Sequence, residues 1–93
     1  MLIFPVKKKW YEKIKNGEKT IEYRIVKPYW THRIEHNLSF FNMPLHCKIR
    51  LGYTNHYLNA RITKIETIDG IETDLHYNGL VYAIHLSDVE MEE

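Results

Sequence analysis

Three side chains of complementary chemistry fall between Lys19 and Arg24, in the stretch Gly-Glu-Lys-Thr-Ile-Glu-Tyr-Arg that begins at Gly17. Lys19 offers a flexible ammonium, Glu22 a carboxylate acceptor and Arg24 a planar guanidinium fork. Together they suit the edge of a nucleobase and a phosphate. They also suit catalysis, with Glu22 as general base and Lys19 as activating cation. A plainer arrangement needs no ligand: Glu22 and Arg24 pair on an exposed strand face and are solvated.

Other residue types around this stretch extend either chemistry. Tyr29, directly beyond it, is the candidate stacking group for a base, whereas Trp30 shares helical spacing with Ile34 and reads as core. Arg33 and the run Lys7-Lys8-Lys9 are candidate phosphate contacts. Lysines at a helix start oppose the helix dipole, and a nearby anion would relieve them. The same run also reads as a solvated helix start. His32 and His36 stand at i and i+4, a spacing that can hold zinc, but no third ligand accompanies them and the expectation is no metal. The single cysteine, Cys47, reads as a small core residue. There is no glycine-rich phosphate loop, and no cofactor is implied.

The elements that must position these groups follow from periodicity. LIFPV reads as a short strand, with Pro5 marking an edge. KKKWYEKIKNG reads as a helix of two to three turns with Trp10 and Ile14 on one face and Gly17 as its stop. In TIEYRIV the apolar Ile21, Tyr23 and Ile25 alternate with Glu22 and Arg24, which predicts a strand with its charges on the side away from the core. Trp30, Ile34 and Leu38 recur every four residues and predict a short second helix, followed by Phe40 and Phe41 in a loop pinned to the core. LHCKIRLGY sets Leu45, Cys47, Ile49, Leu51 and Tyr53 opposite His46, Lys48 and Arg50. LNARITKIETI is strand-like, but its apolar phase slips between Ile62 and Ile65, the mark of a bulge. Asp69-Gly70 is a turn signal, ETDLHYNG a loop or single helical turn, and LVYAIHL a last strand. Five strands and two short helices in so short a chain predict an α+β fold built on a small five-stranded barrel, with an open sheet as the competing arrangement.

The stretch at 17–24 resembles the G-x-K-x-x-E-x-R signature of ASCH domains, named for activating signal cointegrator homology, which belong to the PUA-like superfamily of barrels. The basic helix before Gly17, the Lys-Pro-Tyr-Trp after the motif and the closing LVYAIHL strand are similar to that family as well. The resemblance implies a PUA-like barrel with Lys19, Glu22 and Arg24 lining a cleft beside the helix and Gly17 at the turn. It also implies binding of RNA or nucleotides, with a modified base as one candidate ligand. One branch of the family hydrolyses acetylated cytidine, and a ribonuclease is described in another. This chain resembles the deacylating branch at Lys19, yet carries Glu22 where that branch has a threonine nucleophile. The second catalytic carboxylate of that branch lies in an insertion that is shortened here to IETDLHYNG, where Glu72 and Asp74 are the available acids.

Composition bounds the rest. The chain has 93 residues with 44% hydrophobic and 13% aromatic content, enough for a single domain over 1–93 with one core. One cysteine excludes an internal disulfide. No apolar run reaches membrane-spanning length, and the apolar opening precedes its lysines, the reverse of a secretion signal. The expectation is a soluble, cytoplasmic protein without membrane contact. The net charge of +1 hides an asymmetry: residues 1–33 hold nine Lys or Arg against three Asp or Glu, and residues 66–93 hold eight acids and no Lys or Arg. The basic portion fits an anionic ligand, RNA or nucleotide-like, while the acidic tail SDVEMEE offers a second route, contact with a basic protein.

Overall fold

The computed structural model describes residues 1–92. Its elements run β1 (Leu2–Val6), α1 (Lys8–Lys15), β2 (Ile21–Ile25), α2 (Pro28–Phe40), β3 (Leu45–Leu51), β4 (Tyr57–Asp69), a 3-10 turn (Gly70–Glu72) and β5 (Leu80–Met91). The fold is α+β, with one mixed sheet in the order β1-β3-β4-β5-β2. β1 runs parallel to β3, and the other pairings are antiparallel. The sheet curls into a half-barrel. Its two edges approach closely enough for Arg24 on β2 to donate to the Pro5 carbonyl on β1 at 2.7 Å. Pro5 therefore sits on an edge strand, as its missing N–H requires.

The concave face holds the core. Leu2 and Phe4 of β1, Cys47 and Ile49 of β3, Leu58 and Ile62 of β4 and Ile84 of β5 are all fully buried there. Both helices pack onto this face, α1 through Tyr11 and Ile14, α2 through Trp30 and Ile34. Phe4 stacks on Trp30 with ring centroids 5.2 Å apart. The slip in apolar phase along β4 is a register irregularity between Ile62 and Lys64, and a second one lies between Asn59 and Arg61. These let one long strand bend with the curl.

Several side chains depart from the sequence expectation. In α1 the buried pair is Tyr11 and Ile14, and Trp10 is only half-buried. α2 buries Asn37 rather than Leu38, which is exposed. At about 100° per residue, position i+7 returns to within roughly 20° of Trp30, whereas i+8 has drifted about 80° away. Phe40 ends the helix and Phe41 follows it, and both are exposed rather than pinned to the core. Tyr53 is exposed in the turn after β3. β5 runs on past Leu86, so Ser87, Glu90 and Met91 of the acidic segment pair with β4, and Lys48 meets Glu92. No helix among the described residues is long and apolar enough to cross a membrane.

Gly17 closes α1 in a Schellman turn. Its N–H donates to the Ile14 carbonyl at 3.1 Å, and the Glu18 N–H to the Lys13 carbonyl at 2.9 Å. With φ at +78° the residue occupies the left-handed region. Gly17→Ala is expected to cost about 1 kcal/mol, read as a lower midpoint in urea with an unchanged slope. No atom stands within 4 Å of the added Cβ, so the cost is that of backbone conformation alone.

Candidate functional site

The strand that carries the motif is turned the opposite way from its apolar pattern. Glu22 is buried at 6% exposure and Arg24 is half-buried, while Ile21, Tyr23 and Ile25 lie on the other side, each half-exposed. The charges face the concave side. Solvated surface pairing does not describe them. A carboxylate taken from water is costly unless it is paired. Here Arg24 supplies the pairing from the same strand face, donating from Nη2 and Nε to Glu22 Oε2 at 2.6 and 3.1 Å. The guanidinium is held in turn by the Pro5 carbonyl and lies over the Trp30 ring, 5.0 Å from its centroid.

This arrangement leaves two groups open side by side. Among the described residues, nothing donates to Glu22 Oε1 within hydrogen-bond distance, Lys19 Nζ standing 3.8 Å off, and Arg24 Nη1 has no acceptor. No side-chain nitrogen or oxygen there is buried without a partner, so both open atoms reach solvent. They do so in a cleft of about 380 Å³ between the two sheet edges, lined also by Trp10, Tyr23 and Trp30. An open acceptor beside an open donor can read a ligand edge that presents the reverse pair.

Lys19 is fixed at the side of this cleft. Its N–H continues the helix-end bonding to the Lys13 carbonyl at 3.1 Å. Its ammonium lies between the Trp10 and Tyr23 rings, 5.0 and 4.9 Å from their centroids, and meets Asp74 Oδ2 at 2.5 Å. Asp74 is presented by a loop built around Gly70. The Gly70 carbonyl accepts the N–H groups of Thr73 and Tyr77 and the Thr73 hydroxyl, the last at 2.7 Å. A Cβ on Gly70 would stand 2.6 Å from the Tyr77 carbonyl oxygen, so the turn has no room for another residue. Burial, and then the Asp74 carboxylate, raise the Tyr23 phenol above its ordinary pKa, which keeps it a neutral donor.

The rim of the cleft is cationic. Lys7 and Lys27 occupy the N-cap positions of α1 and α2, and both line the cleft. Neither helix start has a side-chain cap or an acid in its first turn. Positive helix ends and lysines therefore add on one side, an arrangement that favours an anion there.

The expected residues thus divide. Lys19, Glu22 and Arg24 come together, and Gly17 sets the turn before them without lining the cleft. Tyr29 and Arg33 lie on α2 outside the cleft lining, engaged with each other, the guanidinium 3.5 Å over the ring and Nη1 donating to the Tyr29 carbonyl at 3.2 Å. Trp10, Tyr23 and the contact between Lys19 and Asp74 were not assigned to the site from sequence. Helical spacing with Ile14 reads Trp10 as core and strand alternation reads Tyr23 the same way, and no local signal joins residues 55 positions apart. His32 and His36 are exposed, and no group of three or more metal-ligating side chains is assembled among the described residues.

Cys47 lies on the buried side of β3, where burial and then the Glu22 charge push its thiol up from 9.0 to about 12. At pH 8 that leaves about a thousandfold less thiolate than an ordinary cysteine has. Labelling by a disulfide reagent is expected to be negligible in the folded protein and complete on denaturation; rapid labelling of the native chain would show the thiol to be accessible. No family model, curated protein or solved structure matches this chain.

Proposed function

We propose that this protein is an ASCH-like, PUA-like domain that binds RNA, or a nucleotide-like unit of it, in the cleft between β1 and β2. The observation that carries this reading is the open Glu22 Oε1 beside the open Arg24 Nη1, on a cleft with aromatic walls. The pair hydrogen-bonds a base edge, Trp10 or Tyr23 stacks on the ring, and Lys7 and Lys27 meet phosphate at the rim. This reassigns stacking from Tyr29 to the cleft aromatics, because Tyr29 is engaged by Arg33. Single-stranded RNA should bind with an affinity that falls as salt rises, by a logarithmic slope near about −1.4 for two phosphates. A salt-insensitive association would sink the reading.

The short contact between Lys19 and Asp74 favours a second reading, a hydrolase acting in the same cleft. Glu22 Oε1 would take a proton from a water attacking the acyl carbon, and the Lys19 ammonium would stabilise the oxyanion on the acyl oxygen. Collapse would break the bond from the acyl carbon to the cytidine amine, whose nitrogen takes the proton back from Glu22. The two readings separate in one experiment. A short RNA with one acetylated cytidine is followed by mass after incubation with the wild type and with Glu22→Gln. Loss of the acyl group, or strand scission, in the wild type alone supports the enzyme. An unchanged RNA that still binds supports recognition only.

A further inference from the structure

A second cavity, of about 280 Å³, opens at the other end of α2, where the helix gives way to β3. Met1, Phe41, Pro44 and Leu45 form apolar walls, with Asn37, Asn42 and His46 as its polar members. Asn37 is buried at 6% exposure, and its amide nitrogen donates to the Arg33 carbonyl at 2.9 Å. Among the described residues nothing donates to its Oδ1, that oxygen is not sealed off, and the side chain that carries it lines the cavity. A buried acceptor facing an apolar hollow is satisfied by a ligand that brings a single donor on an apolar body.

Charge narrows the ligand further. No Lys, Arg, Asp or Glu side chain lines this cavity, in contrast to the cationic cleft. Its surroundings are apolar instead: Leu38, Phe40, Phe41 and Met43 are all exposed around the end of α2. Such clusters on a small domain mark contact surfaces. An aromatic side chain with one N–H combines the apolar body and the donor, and such rings act as anchors in protein interfaces.

We propose that this cavity is an anchor pocket for a partner protein, which inserts a tryptophan ring and donates its indole N–H to Asn37 Oδ1. The pocket is independent of the cleft. Trp30 of the cleft and Asn37 of the cavity stand seven positions apart on α2, about 10 Å along its axis, and the two linings share no residue, so both can be filled at once.

The test uses two probes of one bicyclic shape, indole and indene, which differ in carrying N–H or CH2. Each is titrated into the isotope-labelled full chain and followed by NMR. Indole is expected to shift the Asn37 side-chain amide and the backbone amides of Phe41, Leu45 and His46. It should bind about tenfold more tightly than indene. In Asn37→Leu the preference disappears while indene still binds. Phe41→Ser, at an exposed position, weakens both probes alike and serves as the test if Asn37→Leu does not fold. Equal affinity of the wild type for the two probes overturns the proposal, as do shifts confined to the cleft around Trp10 and Tyr23. Uridine monophosphate binding at the same amides overturns it in favour of a nucleic-acid pocket.

Discussion

Replacing Arg24 with methionine is expected to lower the unfolding free energy by about 3 kcal/mol, the usual result of stripping one partner from a buried ion pair. The variant keeps apolar bulk against Trp30 and Phe4 but removes both bonds to Glu22 Oε2 and the bond to the Pro5 carbonyl. The carboxylate is left on a concave face with Lys19 Nζ at 3.8 Å as its remaining cation. A midpoint fall of roughly 15 °C should accompany the loss in a chain of this size. The pair itself is a weaker source of stability than its breakage implies. Glu22→Leu combined with Arg24→Met should recover most of the deficit, because well-packed apolar side chains replace buried charges at little net cost. If Arg24→Met alone costs under about 1 kcal/mol, the pair behaves as a solvated surface contact and Glu22 is not desolvated.

Trp10→Ala is expected to weaken RNA binding by about ten- to a hundredfold, as removal of one stacking partner does, without changing the salt dependence. Substituting Lys7 and Lys27 together with alanine should do the reverse. It flattens the logarithmic salt slope by about 1.4 and lowers affinity most at low salt. Filter binding of a short single-stranded RNA over a salt series separates these effects. Trp10 is half-buried and lies outside the fully buried core, so the comparison is made on folded protein. A protein carrying both Trp10→Ala and Tyr23→Ala that binds as well as the wild type would remove the cleft from the binding surface.

What was legible in the sequence was local. Gly17 as a helix stop, Pro5 on an edge and the bulge in β4 each follow from a few neighbouring residues. They also stand in the structure as expected. The orientation of β2 was not legible from its pattern. Alternation gives a period of two but not which side turns inward, and hydrophobicity alone selects the wrong side. Here three apolar side chains remain half-exposed because the charged side is paired within the curl. Lys19, Glu22 and Arg24 were identified as a group from their types and their spacing. Asp74 was visible only as an available acid. Its place beside Lys19 depends on the whole loop from Gly70 to Gly79 folding back, which no short window contains. The Asn37 cavity was hidden for a related reason, since four-residue spacing drew attention to Leu38 instead.

The strand order has a consequence for how the molecule assembles and comes apart. β3, β4 and β5 form a meander of nearby partners: Arg50 pairs with Tyr57, seven positions on, and Asp69 with Leu80, eleven on. β1 joins this meander through Leu2 and Cys47, 45 positions apart, and β2 through Ile21 and His85, 64 apart. Closing those long loops costs the most chain entropy, so the flanking strands dock late and are the first to detach. They are also the two walls of the cleft, joined across it by Arg24 alone among the hydrogen bonds of the described residues. A ligand that grips both walls therefore sutures the two least local pairings of the chain, and its binding energy is added to the cohesion of the whole domain.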